Sequence, residues 1–341
     1  MKNKIYFIKI LVLILLLIAI IGLFRVVTYK EEIKYSGDNL YEWFENKFIN
    51  KEKLIVNKIG EKEDILYLSE SQGLYLLYLL EKDDKDEFYD VYKNTKKYFY
   101  SEGLFKWEIK ATSNALLDDL RIIKALIYAN KKWKFEYDKE INDLMYGLEI
   151  KNSVLDKVVS FADIQNNERP NYIDLSFLDL EAIDEISKIN PKWNKMKIES
   201  QELLESNISQ PFFIKYDYLE GFVRTEEFHM AEYLYLLINQ NYFINNQEAI
   251  KWIISSYNSD GFLSGSYSYK GESLGNVESA AVYALAARYM YINNEFDWAY
   301  IFLDKSKALL DDSIYKYDSG YKKEVYAFDI LEFLLALEEV N

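Results

Sequence analysis

Apolar residues recur at helical spacing along almost the whole chain, and this pattern limits the possible folds more than any other feature. Residues three and four positions apart share one face of a helix. Three clear stripes of this kind are Leu40-Trp43-Phe44-Phe48, Phe88-Val91-Tyr92-Phe99 and Leu116-Leu120-Ile123-Leu126-Ile127. The 341 residues include only 3 prolines and 12 glycines, few for a turn-rich all-β protein. The sequence therefore predicts an all-α chain.

The same periodicity predicts ten to twelve helices joined by short polar connections. Further helical segments lie near 138–150, 173–188 and 194–206, and at Met230–Leu234, Ile250–Tyr257, Val277–Tyr291, Trp298–Leu310 and Val325–Leu337. Turn residues stand at Ser101–Gly103, Asn258–Gly261 and Tyr269–Gly271. This number of antiparallel helices favours a closed toroid of helical hairpins, although an open solenoid has the same local pattern.

The N-terminus has the composition of a membrane anchor. An uninterrupted apolar run extends from Ile10 to Phe24, with more apolar residues on both sides of it. The run can span a bilayer if Lys9 extends toward the head groups. No small-residue cleavage site follows it, and the sequence has no cysteine that could be lipidated. We expect a signal-anchor transmembrane segment over 1–29, a short tether over 30–37 and one domain over 38–341.

The charges around this run predict the orientation of the chain. Lys2, Lys4, Lys9 and the amino terminus outweigh Arg25 and Lys30 as cytoplasmic charge. The protein is therefore expected to be a single-pass protein of the cell membrane with its body outside the cytoplasm. A cleaved signal peptide is the alternative, and it leads to the same compartment.

The charge balance and the rare residue types exclude several functions. The chain has 41 basic and 56 acidic residues, a net charge of −15, which argues against binding nucleic acid. The presence of one histidine, His229, and no cysteine argues against a Ser-His-Asp triad and against a zinc site. We predict no metal and no cofactor, and carboxylates must carry any acid–base chemistry.

The segment Leu66–Tyr78 places one acid, Glu70, at the start of an apolar helix. Ser69 can cap this helix, and Gly73 allows another backbone or a ligand to approach closely. Desolvation would raise the pKa of Glu70, whereas the helix N-terminus would lower it. Glu70 is the first candidate for catalysis, and an ordinary helix-capping role is the alternative.

A second group of acids follows at the start of another predicted helix. Thr112, Ser113 or Asn114 can cap that helix. Asp119 shares a face with Ile123 and Leu126 and so points to the apolar side, and Asp118 lies about 100° round the helix. A buried acid needs either a partner, such as Arg121, or a functional role.

Several motifs together resemble glycoside hydrolase family 8. Ser69–Tyr75 resembles the Ser-Glu-Gly-Gln-Gly-Tyr-Gly signature of that family. Gly103–Trp107, Asp119–Leu126, Pro170–Tyr172 and Glu278–Leu285 are similar to later motifs and occur in the same order. The resemblance covers about residues 38–310. Members of the family are endoglucanases, chitosanases and exopolysaccharide-associated cellulases, and the resemblance implies their (α/α)6 barrel.

The resemblance also implies roles for individual residues. Glu70 falls on the general acid of the family, and Asp119 on the second acid of its Asp-x-Asp motif, which holds the sugar. Ser71 and Leu117 depart from the family by replacing a glycine and the first acid of that motif. The family inverts the anomeric centre, so a second carboxylate must activate water. Glu226, its neighbour Glu227 and Asp217 are the candidates for this base.

Aromatic side chains complete the expected site. Trp107, Tyr172, Trp193 and Tyr216 could stack on sugar faces, and Glu278 is expected to bind substrate. The predicted function is membrane-anchored, endo-acting, inverting hydrolysis of a β-linked polysaccharide, with an exopolysaccharide synthesis or export complex as the candidate partner. The alternative is a catalytically inactive glycan-binding or partner-docking protein on the same scaffold.

Overall fold

The computed structural model describes Val12, Leu16 and residues 37–60, 65–321 and 323–340. The predicted anchor over 1–29 lies outside these residues, apart from Val12 and Leu16. Within the described ranges, no helix combines the length and the apolar character needed to cross a membrane. Residues Lys47–Val340 form one compact unit, which contains every strand and every helix after the first.

The described part of the chain contains twelve α-helices, in agreement with the all-α prediction. They are α1 (37–48), α2 (Ser69–Glu81), α3 (Lys85–Phe99), α4 (Leu116–Trp133), α5 (Asp138–Lys151), α6 (Leu180–Ile189), α7 (Trp193–Asn207), α8 (Met230–Asn241), α9 (Gln247–Asp260), α10 (Ala280–Ile292), α11 (Phe296–Asp318) and α12 (Ala327–Val340). A 3₁₀ turn, Leu175–Phe177, precedes α6.

The even-numbered helices form a closed ring. Within it α2 packs on α4, α4 on α6, α8 on α10, α10 on α12, and α12 returns to α2. The 3₁₀ turn Leu175–Phe177 contacts both α4 and α8 and so bridges the sector between α6 and α8. The odd-numbered helices α3, α5, α7, α9 and α11 alternate with these inner helices along the chain. Closure of the ring makes this an (α/α)6 barrel and excludes the solenoid.

Inner and outer helices differ in how much of their surface is buried. Ten of the 13 residues of the inner helix α2 are buried, and α10 is buried continuously from Ala280 to Ala287. The outer helix α3 buries only one stripe, in which Phe88 and Phe99 are fully inaccessible. Full burial of such an aromatic side chain contributes about 1.5–3 kcal/mol. The stripe on α3 is the one that the sequence predicts.

Eleven short strands in the described part all lie in connections that lead into inner helices. They are β1 (Lys58–Ile59), β2 (Tyr100–Ser101), β3 (Leu104–Phe105), β4 (Ser153–Val154), β5 (Lys157–Val158), β6 (Tyr172–Asp174), β7 (Lys215–Asp217), β8 (Gly221–Val223), β9 (Glu227–His229), β10 (Ser266–Ser268) and β11 (Val325–Tyr326). All pairings are antiparallel: β1 with β11, β2 with β3, β4 with β5, β6 with β7 and β7 with β8, and β9 with β10.

The two ends of the barrel are unequal because of these strands. Connections from an inner to an outer helix have 3 to 5 residues, whereas those from α3 onward that enter an inner helix have 8 to 28. The long connections all meet at the N-terminal ends of the inner helices. Binding and catalytic residues tend to lie on long loops above a rigid scaffold, so this end of the barrel is the place to look for a site.

Three local predictions were wrong, each because a tertiary partner takes over. The helix expected over 173–188 begins only at Leu180, where the carboxylate of Asp179 accepts a hydrogen bond from the Ala182 amide at 2.9 Å. Strand β6 and the 3₁₀ turn occupy the residues before it. The N-cap of α2 is Leu68 rather than Ser69, whose hydroxyl donates to Asp118 instead.

The third wrong prediction concerns the cap of α4. Its N-cap is Ala115, and no side chain caps the helix. Asn114 is buried, donates to Asp119 and Asn152 through its Nδ2, and accepts from the Ala162 amide at 2.6 Å. Asn114 therefore links α4 to the long connection between α5 and α6.

Candidate active site

A cavity of about 210 Å³ opens where the N-terminal ends of α2 and α4 meet. Its lining combines acidic, basic and aromatic side chains: Leu68, Glu70, Trp107, Ala115, Leu117, Asp118, Arg121 and Phe177. The cavity lies at the end of the barrel that carries the long connections. It brings together the predicted acid Glu70 and the predicted aromatic residue Trp107.

Glu70 is the second residue of α2, and its side chain is 33% exposed. Its Oε1 lies 3.7 Å from Nη1 of Arg121. Desolvation is the largest effect and raises the pKa of Glu70 to about 7; the Arg121 charge acts against it, and Asp118 and Glu332 add to it. The carboxyl group is therefore half-protonated near neutral pH, as a general acid requires.

Asp118 is the second acid of this cavity. Its Oδ2 accepts a hydrogen bond from the Ser69 hydroxyl at 2.6 Å, and its Oδ1 accepts one from Arg121 Nη1 at 3.1 Å. Burial raises the pKa of Asp118, although Arg121 and Ser69 favour its charged form. Asp118 and Glu70 thus share one guanidinium group.

Asp119, which the family resemblance places at the sugar, is turned away from the cavity. It is fully buried, and its carboxylate accepts hydrogen bonds from the Phe105 amide at 2.8 Å and from Asn114 Nδ2 at 2.6 Å. Burial raises its pKa to about 8. Both oxygens are used to attach α4 to strand β3 and to Asn114, so of these two neighbouring acids only Asp118 lines the cavity.

A second tier of charged side chains lies one turn further into the barrel. The Arg121 guanidinium lies 5.0 Å from the centroid of the Tyr235 ring. The Tyr235 hydroxyl donates to Glu332, which is fully buried. The other oxygen of Glu332 accepts from Arg288 Nη1 at 3.1 Å. This tier connects α4, α8, α12 and α10 beneath the cavity.

Glu232 is a candidate that the sequence analysis missed. It lies in the first turn of α8, three residues before Tyr235, and therefore on the same inward face. In the ring of six inner helices α8 stands opposite α2, which carries Glu70. Neighbouring helices pack about 8–10 Å apart, so opposite helix axes are about 16–20 Å apart and two inward glutamates can bridge most of that gap.

The environment of Glu232 also marks it as unusual. Desolvation raises its pKa, with smaller opposing contributions from His229 and Lys215 and a further increase from Asp174. Its position corresponds to that of Glu70, because each is an acid in the first turn of a buried inner helix that follows a long connection. That shared position is the signal by which the sequence could have identified it.

The three acids that the sequence analysis proposed as the base lie elsewhere. Glu226 and Glu227 are exposed and line a separate depression together with Ser268 and Tyr269. The Oδ1 of Asp217 accepts from the amides of Leu219 at 2.8 Å and Glu220 at 3.1 Å, which closes the turn between β7 and β8. Neither these three acids nor Glu232 lines the cavity around Glu70, but Glu232 is the one that stands on an inner helix.

The predicted sugar-stacking aromatics are divided between the cavity and other places. Trp107 is 44% exposed and lines the cavity. Trp193 is fully buried and donates from Nε1 to Glu149 at 2.9 Å, so it cannot stack on a sugar and that prediction was wrong.

The remaining predicted substrate contacts lie in the long connections and do not line the cavity. Nζ of Lys215 lies 4.0 Å from the centroid of the Tyr172 ring and covers one face of it. Tyr216 packs edge-on against Phe222 and lines a depression beside α7. Glu278 is exposed and accepts a hydrogen bond from the Tyr283 hydroxyl. Among the residues that the structure describes, no group of three or more potential metal ligands is found.

No family model matches the sequence. A protein of Bacillus subtilis (strain 168) named "Putative lipoprotein YdaJ" is 29% identical over 293 residues, which cover 79% of this chain and 78% of that protein.

Solved structures match the fold more extensively. An alpha-amylase from Clostridium perfringens superposes with a TM-score of 0.78 at 24% identity, over 88% of this chain and 96% of its own. PssZ from Listeria monocytogenes superposes with a TM-score of 0.74 at 21% identity, over 88% of this chain and 94% of its own. A cold-adapted family 8 xylanase superposes with a TM-score of 0.69 at 11% identity, over 90% of both chains. The resemblance to family 8 is thereby confirmed at the level of the fold.

Proposed function

From the fold of the family 8 glycoside hydrolases, we infer that this protein hydrolyses a polysaccharide, with Glu70 as the general acid. One observation carries the proposal. In a cavity at the loop-rich end of the barrel, Glu70 has a pKa raised to about 7 beside an exposed tryptophan, Trp107. A carboxyl group that keeps its proton near neutral pH can protonate a leaving sugar oxygen.

We propose an inverting mechanism, in which acids on two opposite inner helices act from the two sides of the sugar. Glu70 donates its proton to the glycosidic oxygen while the bond to the anomeric carbon breaks. A water molecule attacks that carbon from the opposite face and gives its proton to Glu232, the carboxylate of the opposite inner helix. Inverting enzymes separate the two carboxyl groups by about 6.5–9.5 Å to admit this water. Asp118 replaces Asp119 in our proposal as the acid that holds the reacting sugar.

Trp107 and Asp118 are proposed to position the sugar ring. An exposed indole offers a flat apolar face on which a pyranose can stack, with its hydroxyl groups left for polar partners. Asp118 can accept hydrogen bonds from those hydroxyls, and its negative charge favours the oxocarbenium character of the transition state.

The linkage of the substrate is open to experiment. The sequence resemblance favours a β-linked polysaccharide cut internally, and a family 8 xylanase is among the structural neighbours. The Clostridium perfringens neighbour is instead named an alpha-amylase. We therefore propose a β-linked glycan and include an α-linked glucan in the test.

We further propose that the protein works at the outer face of the cell membrane. The Bacillus subtilis relative is named a lipoprotein, which is consistent with membrane association. The present sequence contains no cysteine, so the apolar run Ile10–Phe24 is the proposed anchor. An anchored glycosidase would be held beside a membrane-bound polysaccharide synthesis or export complex, its proposed partner.

The test is an assay of reducing-end release by the full chain in mild detergent. The substrates are β-1,4-glucan, mixed-linkage glucan, xylan, chitosan, poly-N-acetylglucosamine and α-1,4-glucan. We expect Glu70→Gln to lower the rate at least about 100-fold, the lower range of general acid–base contributions. Glu232→Gln should cause a comparable loss, whereas the matched variants Glu226→Gln and Asp217→Asn should retain activity.

Two further results would decide the proposal. NMR of the first anomer released shows inversion directly. Absence of activity on every polymer, or a Glu70→Gln variant as active as the wild type, would contradict the hydrolase. Loss of activity in Glu226→Gln but not in Glu232→Gln would identify Glu226, in the exposed depression, as the base instead of Glu232.

A glycan-binding or partner-docking protein without catalysis is the second candidate. It is favoured by Leu117, an apolar residue that lines the cavity at the place of the first acid of the family motif. This alternative predicts that glycan binding survives in Glu70→Gln and that neither protein releases reducing ends.

A further inference from the structure

Arg121 has an unusual position for a guanidinium group. Its side chain is only 3% exposed, and it lines both the cavity around Glu70 and a larger cavity of about 600 Å³ that extends toward the C-terminal ends of the inner helices. Its Nη1 serves two acids, Asp118 at 3.1 Å and Glu70 at 3.7 Å. Its Nη2 has no hydrogen-bond partner among the described residues.

The neighbouring helix is shaped to admit this side chain. Gly73 of α2 faces Arg121, and a Cβ atom at residue 73 would lie 3.2 Å from the Cβ of Arg121. Glycine is less favourable than alanine inside a helix. Its presence in the buried helix α2 is explained by the close approach of α4 at the point where Arg121 leaves the backbone.

A support fixes the guanidinium from below. The Tyr235 ring lies under it at 5.0 Å, and the Tyr235 hydroxyl is held by Glu332. Arg288 holds the other oxygen of Glu332 and is itself held by Glu339, whose oxygens accept from Nε at 2.8 Å and Nη2 at 2.7 Å. Tyr235, Glu332 and Arg288 are each held by the next group in this chain of contacts. The Arg121 guanidinium therefore has little freedom to move away from Glu70.

We propose that Arg121 is the positioning residue of Glu70: clamped between Asp118 and the Tyr235–Glu332 pair, it fixes the direction and the charge environment of the acid. This inference rests on the proposed role of Glu70 as general acid. It assigns Arg121 no contact with the reacting atoms and no proton transfer.

The charges around Glu70 predict in which direction its pKa should move when one of them is removed. Arg121 and Asp118 face Glu70 from α4, Glu332 from α12, and the Tyr235 phenol of α8 lies between Arg121 and Glu332. Arg121 lowers the pKa of Glu70, whereas Asp118 and Glu332 raise it. Removal of the guanidinium should therefore raise the pKa of Glu70 above about 7. Removal of the Glu332 charge should lower it.

The experiment follows the Glu70 carboxyl group itself. The full chain is labelled with [δ-13C]glutamate, the Glu70 signal is assigned from its absence in Glu70→Gln, and its chemical shift is titrated. Arg121→Met should move the titration of Glu70 upward by about one pH unit or more, because an opposite charge within about 4–6 Å shifts a pKa by about 1–3 units. Arg169→Met, which removes an exposed arginine, is the matched control and should leave it unchanged.

A conservative variant separates positioning from charge. Arg121→Lys keeps the charge but loses the planar fork that Asp118 and Tyr235 hold. It should keep the titration of Glu70 near that of the wild type, yet lower kcat about tenfold or more with little change in KM, because misplacement of a catalytic group reduces the rate steeply. This variant also serves if Arg121→Met does not fold.

The outcomes distinguish this inference from the proposed function. A shifted Glu70 titration in Arg121→Met, together with a wild type that hydrolyses nothing, supports the positioning and contradicts the hydrolase. Hydrolysis that depends on Glu70, with an unshifted titration in folded Arg121→Met, overturns the inference alone. A wild-type kcat in Arg121→Lys overturns it as well.

Discussion

At the scale of single residues, the site is organised by competition for a few buried charges. The helix N-terminus favours an ionised Glu70, but the cavity desolvates it and Asp118 repels it, so its pKa rises to about 7. Asp118 accepts hydrogen bonds from Ser69 and Arg121, which lie closer to it than Arg121 lies to Glu70. Two neighbouring carboxyl groups with different surroundings can take the roles of acid and charged stabiliser.

The first prediction follows from this pKa. A general acid works only while protonated, so kcat/KM should fall as the pH rises through about 7, the pKa of Glu70 in the free protein. Asp118 raises that pKa, so Asp118→Asn should move the alkaline limb to lower pH, in addition to any loss of rate. The measurement is kcat/KM between about pH 5 and 9.

Asp217→Asn is the control for this profile. Asp217 only closes the turn between β7 and β8, so its removal should leave the alkaline limb in place. An alkaline limb that stays where it is in Asp118→Asn would mean that Glu70 is not the group that titrates.

The residues of the site could be predicted from the sequence only in part. The start of an apolar helix marked Glu70, and the structure places it in one cavity with Trp107. The choice between Asp118 and Asp119 depends on which neighbouring element covers each helix face, and strand β3 covers Asp119. Trp193 shows the same limit, because an aromatic residue in a polar segment can belong to the core or to a sugar platform.

At the scale of elements, the helices were predictable and the strands were not. Helix formation depends on spacing within one segment, so the stripes on α3 and α4 could be read directly. The strands have only two or three residues, and each is stabilised by a partner in another segment. Such short strands leave no alternating pattern, so the sequence analysis expected only short polar connections, which was wrong for those that enter the inner helices.

The second prediction concerns the contact between α5 and one of these strand pairs. Gly147 of α5 packs against the turn between β2 and β3, and a Cβ at residue 147 would lie 2.3 Å from the carbonyl oxygen of Gly103. Neither backbone can move without shifting its element. We therefore expect Gly147→Ala to lower the free energy of unfolding by about 1–3 kcal/mol, the usual cost of overpacking.

Denaturant-induced unfolding followed by circular dichroism measures this effect. Gly275→Ala is the matched control, because no atom lies within 4 Å of a Cβ built at residue 275. Equal stability of the two variants would show that α5 and the β2–β3 turn can separate at little cost.

At the scale of the whole molecule, closure of the ring distinguishes this fold from a solenoid. Strand β1 pairs with β11, in the register Lys58 to Tyr326, and the Ala327 amide donates to the Asn57 carbonyl at 2.9 Å. These contacts join segments almost 270 residues apart, and α12 packs on α2 beside them. Local periodicity carries no information about such pairing, so the sequence pattern left toroid and solenoid open.

The last prediction uses the net charge of −15, which acts on any charged substrate approaching the cavity. Polyuronates should bind more weakly than neutral β-glucans of equal length, because like charges repel. The difference should shrink with added salt, since the screening length falls from about 30 Å at 0.01 M to about 8 Å at 0.15 M. Binding of a neutral glucan should hardly respond to salt. Titration calorimetry on the Glu70→Gln variant measures the affinity for each glycan without hydrolysis. Tighter binding of the polyuronate than of the neutral glucan in the same salt would contradict the prediction. It would show that local cations such as Arg121 outweigh the net charge.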